Sequence, residues 1–210
     1  MVATETDRHP RADAVRNADR ILRAARVVFA ETGPDASLED IARHAGVGSR
    51  TLYRHFPTKA DLARAAIDQC VAEDLTPVTE QALGDDDPWR GFVSLLEAAM
   101  DLATREHNTL AAARTAGVGT ADASAAFFES LTRLMLRAQE AGLIRADLVA
   151  DDLPRLMAML FSTVSTMAPQ SDGWRRYLAL ILDSLSPAAA NPLPPTTAVD
   201  LREARRGLPS

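Results

Sequence analysis

Cysteine is nearly absent from this chain: of 210 residues only Cys70 is one. A single thiol cannot form an intramolecular disulfide or a cysteine-based zinc site, and it fits a reduced cytosol. Aromatic residues make up only 5%, and the alternation of β-branched and aromatic side chains that marks strands is missing. Apolar runs are short, the densest being residues 156–161 and 178–182. A membrane span needs about 18, so no span is expected. The N-terminal stretch MVATETDRHPRADAVR lacks the apolar core of a secretory signal, which predicts a cytoplasmic protein. The four histidines (His9, His44, His55 and His107) show no metal-ligand spacing, and no glycine-rich phosphate loop occurs. The run Asp85, Asp86, Asp87 lies between helical segments, where carboxylates serve as solvated caps. The expectation is a non-enzyme without cofactor or metal.

What the chain does contain is helix-forming sequence. Apolar residues are 47%, charged residues 25% and mean hydropathy is -0.10, the profile of a folded soluble domain. The net charge of -6 conceals an asymmetry. Residues 1–64 carry eleven basic and nine acidic side chains, whereas residues 65–210 carry twelve and twenty. Such a balance permits contact with a polyanion through the N-terminal end only. Of the 23 basic residues 22 are arginine and Lys59 is the sole lysine; the acidic part is just as lysine-poor, which reads mainly as coding bias.

Three-four spacing of Ala18, Ile21, Leu22, Ala25, Val28 and Phe29 predicts a first helix over residues 12–32, stopped by Gly33-Pro34. Ser37 and Asp40 resemble a capping box for a short helix through Leu38, Ile41, Ala42 and Ala45. Gly46-Val47-Gly48 then turns the chain into a second short helix, residues 49–56, ended by Pro57. Thr58 and Asp61 cap a long helix expected to reach residue 82. Further helices are expected over residues 88–105, 108–115, 121–141, 151–167 and 173–185, with Asp172 as the last N-cap. The fold class is therefore all-α. Residues 1–62 form an N-terminal three-helix domain, 63–185 a C-terminal helical domain, and 186–210 a Pro/Ala-rich tail, disordered or loosely docked.

The informative stretch is SLEDIARHAGVGSRTLYRHFPTKADL. Two short helices joined by a tight Gly-containing turn form a helix-turn-helix, whose second helix lies in the DNA major groove. Eight residues give about 12 Å of helix, comparable with the ~12 Å groove width. Leu52 and Phe56 face inward, leaving Ser49, Arg50, Tyr53 and Arg54 outward. Arg50 and Arg54 suit guanine edges or phosphates, Ser49 and Thr51 suit bases or backbone, and Tyr53, His55 and Lys59 suit phosphates. A competing reading is a helical protein-interaction module without sequence-specific DNA binding. Loss of DNA binding with dimerisation intact would favour it.

The segments ILRAARVVFAETG, SLEDIARHAGVGSRTLYRHF and PTKADL resemble, in order and spacing, the N-terminal domain of TetR/AcrR-type transcriptional regulators. EAGLIRADLVADDLPRLMAML and WRRYLALILDSL are similar to the C-terminal part of one actinobacterial-type subgroup. The resemblance implies an all-α homodimer that represses transcription from a pseudopalindromic double-stranded operator until a small, largely apolar effector binds the C-terminal domain. It implies Ser49, Arg50 and Thr51 near bases and Ser37, Tyr53, His55 and Lys59 on phosphates. Arg50 stands where relatives often carry Gly or Ala. The last two helices would pair with their symmetry mates as a four-helix bundle. The candidates there are Leu156, Leu160, Val164, Met167, Leu178, Ile181, Leu182 and Leu185. The effector cavity is expected among Phe92, Leu96, Met100, Phe127, Leu131, Met135, Met159 and Thr163.

Overall fold

The computed structural model describes residues 8–117, 121–164, 166–167, 171–188 and 191–195. Among the described residues there are helices and turns but no strand. The helices are α1 (Arg8–Thr32), α2 (Leu38–His44), α3 (Ser49–His55), α4 (Lys59–Cys70), α5 (Thr76–Gly84), α6 (Pro88–Arg105), α7 (His107–Thr115), α8 (Ala121–Glu140), α9 (Asp152–Val164) and α10 (Trp174–Ser184). No helix among the described residues is long and apolar enough to cross a membrane.

By packing, the chain divides into two units. The first runs to Glu80 and adds Ala98–Ala126; the second takes Gln81–Glu97 and the chain from Phe127 onward. The division expected at residue 62 falls inside α4, because α4 belongs wholly with α1–α3. Ile21, Ala25, Phe29, Ile41, Leu52, Leu62, Ala66 and Ile67 share one core, and Ala112 and Ala113 of α7 close it. Alanines at that seam let the helix backbones approach closely while burying their methyl groups.

The long helix expected after Thr58 runs on as helix to Gly84 but carries a π-turn, for which Pro77 supplies the reason. A proline inside a helix lacks the amide hydrogen and its ring clashes with the carbonyl four residues earlier. The chain accommodates it by a single π-turn, Val71–Leu75, in which the Thr76 amide reaches back five residues to the Val71 carbonyl. Charged side chains cluster beside this turn. Arg26 of α1 donates to Glu106 at 3.0 Å from Nε and 2.6 Å from Nη2, and to Glu73 at 3.1 Å from Nη1. Arg105 pairs with Asp74 at 2.8 Å, and Thr109 Oγ donates to the second Glu106 oxygen at 3.0 Å. Burial disfavours the Arg26 charge, but the hydrogen bond to Glu106 and the nearby negative charge of Glu106 and Asp74 together outweigh it and hold the guanidinium above its ordinary pKa.

In the second unit Asp87 accepts from the Trp89 and Arg90 amides, so Pro88 occupies the first turn of α6 as expected. Gly91 is required by space: a Cβ there would stand 2.6 Å from the Ala82 carbonyl oxygen and 3.0 Å from Leu134 Cδ2. α9 ends at Val164, short of the expected residue 167. α10 has Gly173 as its N-cap with no side-chain bond, so Asp172 is not the cap. Part of the tail is held rather than loose. Arg145 and Asp147 form a two-pronged pair, and Arg145 Nη2 also donates to the Asn191 carbonyl at 2.6 Å. The Leu193 amide donates to Asp147 at 2.8 Å. Residues 189–190 and 196–210 of the expected tail lie outside the described residues.

Candidate nucleic-acid interface

The α2–α3 pair is built from its caps. Ser37 Oγ accepts from the Asp40 amide at 3.1 Å and donates to the Asp40 carboxylate at 2.7 Å. The acid therefore answers the serine hydroxyl rather than its backbone, half of the expected box. Thr58 and Asp61 complete both halves at the start of α4. Between α2 and α3 the chain turns at Gly46, whose φ is +63°, a left-handed value at which a side chain is strained. The guanidinium of Arg20 donates to the Ala45 carbonyl at 2.8 Å, placing positive charge on the open C-terminal end of α2. Arg20 is off the apolar stripe of α1, and its reach of 25 residues was not visible in the spacing.

α3 is pinned by one side and presents the other. Leu52 is fully buried and Phe56 nearly so. Ser49, Arg50, Tyr53 and Arg54 are exposed and Thr51 is half-buried. Among the described residues neither Arg50 nor Arg54 has a hydrogen-bond or ion-pair partner, so both cations stand open on this face. Tyr53 is 42% exposed and donates its hydroxyl to Glu39 of α2 at 2.8 Å. That hydrogen bond raises the phenol's pKa above its ordinary value.

Three sequence candidates are less free than their chemistry suggested. His55 is half-buried, its Nε2 is enclosed without a partner, and its ring leans on Phe56 at 6.2 Å. That nitrogen cannot reach a phosphate from this position. The cause is helical spacing: His55 lies three residues after buried Leu52, on the same side of α3. Lys59 sits over the Phe29 ring at 5.8 Å, so its ammonium is partly engaged. Ser37 already uses its proton on Asp40. Glu39 is the residue the sequence reading missed. It is an acid in the first turn of a helix, and nothing local shows that a tyrosine 14 residues on will reach it.

The C-terminal candidates separate by burial. Phe92, Leu96, Met100, Leu131 and Met135 are buried core residues. Phe127 is half-buried and meets Phe128 edge-on at 5.1 Å. Thr163 spends its hydroxyl on the Leu160 carbonyl at 2.7 Å. Met159 is 53% exposed and does not line an enclosed cavity, because it lies on the outer face of α9. Among the expected pairing residues, Leu160, Leu178 and Leu185 are buried within their own unit and have no surface left for a second chain. Leu156, Val164, Met167, Ile181 and Leu182 are half-buried. The exposed large apolar side chains of α9 and α10 are instead Met159, Phe161, Tyr177 and Leu180.

Known proteins share this arrangement. The family model for bacterial regulatory proteins of the tetR family matches residues 21–66. That for the C-terminal domain of SbtR-like transcriptional regulators matches residues 87–187. The crystal structure of the TetR transcriptional regulator SCO0520 from Streptomyces coelicolor is 38% identical with a TM-score of 0.61, over 82% of this chain and 99% of that one. Among curated relatives, the repressor LfrR of Mycolicibacterium smegmatis is 37% identical over 87 residues, 39% of this chain and 43% of LfrR. The regulator SAB2452 of Staphylococcus aureus is 45% identical over 53 residues, 25% of this chain and 29% of its own length. The match thus spans less than half the length of either curated relative. With a helix-turn-helix whose recognition face is open and a full-length likeness to a solved regulator, the chain belongs to the TetR family of transcriptional regulators.

Proposed function

We propose that this regulator is a cytoplasmic homodimer that represses transcription from a pseudopalindromic operator and leaves it when a small, largely apolar molecule binds its C-terminal half. One observation carries the DNA part: α3 buries Leu52 while holding Ser49, Arg50, Tyr53 and Arg54 outward, with both arginines unpaired among the described residues. An exposed face whose two arginines have no partner among the described residues suits phosphates and guanine edges. Ser49 and Thr51 would meet bases beside Arg50. Ser37, Tyr53 and Lys59 would meet phosphates after giving up their present partners.

Dimerisation is supported by apolar surface. Tyr177 and Leu180 share one face of α10, Met159 and Phe161 project from α9, and the two helices pack on each other. Two such helices meeting their symmetry mates make a four-helix contact that buries these side chains. Half-buried Leu156, Val164, Met167, Ile181 and Leu182 would flank it. For the effector, Phe92, Leu96, Met100, Phe127, Leu131 and Met135 supply a pliable apolar lining whose methionines adapt to shape. LfrR, whose structure has been solved with proflavine, shares the fold at 22% identity. Binding would act by favouring a spacing of the two α3 helices that mismatches the operator.

The experiment is selection of duplexes from a random pool by the purified protein, followed by footprinting and light scattering. The expected result is a two-fold symmetric site protected by a dimer. Recovery of no preferred sequence by a stable dimer would support the interaction-module reading instead.

A further inference from the structure

We propose that Glu39 sets DNA selectivity by competing with phosphate for the hydroxyl proton of Tyr53. This rests on α3 docking in the groove. Tyr53 and Glu39 are both exposed, on neighbouring helices, and the phenol O–H donates to Glu39 Oε1 at 2.8 Å. A phenol has one proton to donate, so a bond to Glu39 and a bond to a phosphate oxygen exclude each other. Any phosphate placed to accept from Tyr53 also stands within about 5 Å of the carboxylate, where like charges repel.

Two states follow. In a loose encounter the tyrosine stays with Glu39, and the carboxylate adds a repulsive charge beside the backbone. In a seated complex the contacts from Ser49, Arg50 and Arg54 hold α3 against the duplex, and Tyr53 turns its O–H from Glu39 to donate to a phosphate oxygen. Only a duplex that supplies those contacts compensates for the exchange. Glu39 therefore weakens binding everywhere, and weakens it most where α3 does not fit. This is a selectivity role, distinct from a role in holding Tyr53 in place, and the two predict opposite signs.

The test uses the full-length protein, a generic 30-base-pair duplex of mixed sequence and the duplex selected by the wild-type protein. Glu39→Met removes charge and acceptor but keeps length and adds no donor. The expected result at low salt is binding of the generic duplex tightened about tenfold, with discrimination between the two duplexes reduced at least about threefold. In a Tyr53→Phe background the same substitution should tighten generic binding no more than about threefold, since no hydroxyl donor remains to be redirected. Weaker or unchanged binding by Glu39→Met would overturn the proposal and make Glu39 a positioning residue. So would an equal gain in both backgrounds, which reports charge alone, or unchanged discrimination. Failure of the wild-type protein to bind either duplex would instead remove the docking on which the proposal depends. Unaltered helix content and urea midpoint for Glu39→Met, at an exposed position, establish that folding is not what is read.

Discussion

Glu106 makes the most demanding test of how the first unit is held together. It is 8% exposed and accepts three hydrogen bonds, two from Arg26 and one from Thr109. Sequence places it 80 residues from Arg26, so the pair closes a long loop between α1 and the start of α7. Glu106→Gln keeps shape and one acceptor oxygen but removes the charge and presents an amide donor to a guanidinium. Breaking a fully buried pair costs about 3–5 kcal/mol. Arg26 is 22% exposed at its side chain and keeps Glu73 at 3.1 Å and Asp74 at 3.8 Å, so part of its charge stays compensated. The expected loss is therefore about 2–3 kcal/mol. Urea denaturation followed by circular dichroism measures it, as a lower midpoint with an unchanged slope. A loss below about 0.5 kcal/mol would refute the reasoning, showing that Glu73 and Asp74 suffice to hold Arg26.

Gly46→Ala should destabilise the protein by about 1–2 kcal/mol, because a side chain at φ +63° is strained and its Cβ would lie 3.1 Å from Arg20 Nη2; a thermal melt measures this, and no change in midpoint would mean that the turn relaxes. Cys70 is fully buried, and burial pushes its thiol up to about 12. Labelling by a thiol reagent at neutral pH should therefore proceed only at the rate of unfolding, and rapid labelling of the native protein would contradict the packing. Asp85 is held down to about 2 first by the hydrogen bond from Arg90 and then by the Asp87 amide. A folded-state pKa below the unfolded one means stability present at neutral pH and lost as pH falls through the folded value. The contribution should fade from about pH 4 to about pH 2. Asp85→Asn should flatten that limb of the stability profile; an unaltered limb would show that Asp85 does not titrate there.

Much of this architecture is legible in the sequence, and particular residues explain why. Ile21, Leu22, Val28 and Phe29 sit on a narrow stripe, so α1 declares its buried face; Leu52 and Phe56 do the same for α3. The π-turn before Pro77 is not legible in periodicity because the segments on either side are both good helix and the helix continues through it; only the proline's missing amide hints at it. α9 and α10 were assigned as helices, but the sharing of their apolar residues was not readable. Both helices are apolar on several faces, and nothing local says that Leu160 and Leu178 turn inward while Met159 and Leu180 turn out. Contacts between distant residues were invisible for the same reason. Arg145 with Asp147 holds Asn191 and Leu193, and Tyr53 meets Glu39, through tertiary placement that periodicity does not encode.

Salt dependence tests most directly whether α3 reads a duplex. With about four phosphates neutralised per subunit, the logarithm of operator affinity should fall against the logarithm of salt with a slope near -7 for the proposed dimer. Arg54→Ala, removing one unpaired cation from each α3, should bring that slope to about -5. A slope near zero for the wild-type protein, or one that Arg50→Ala and Arg54→Ala both leave untouched, would contradict the account.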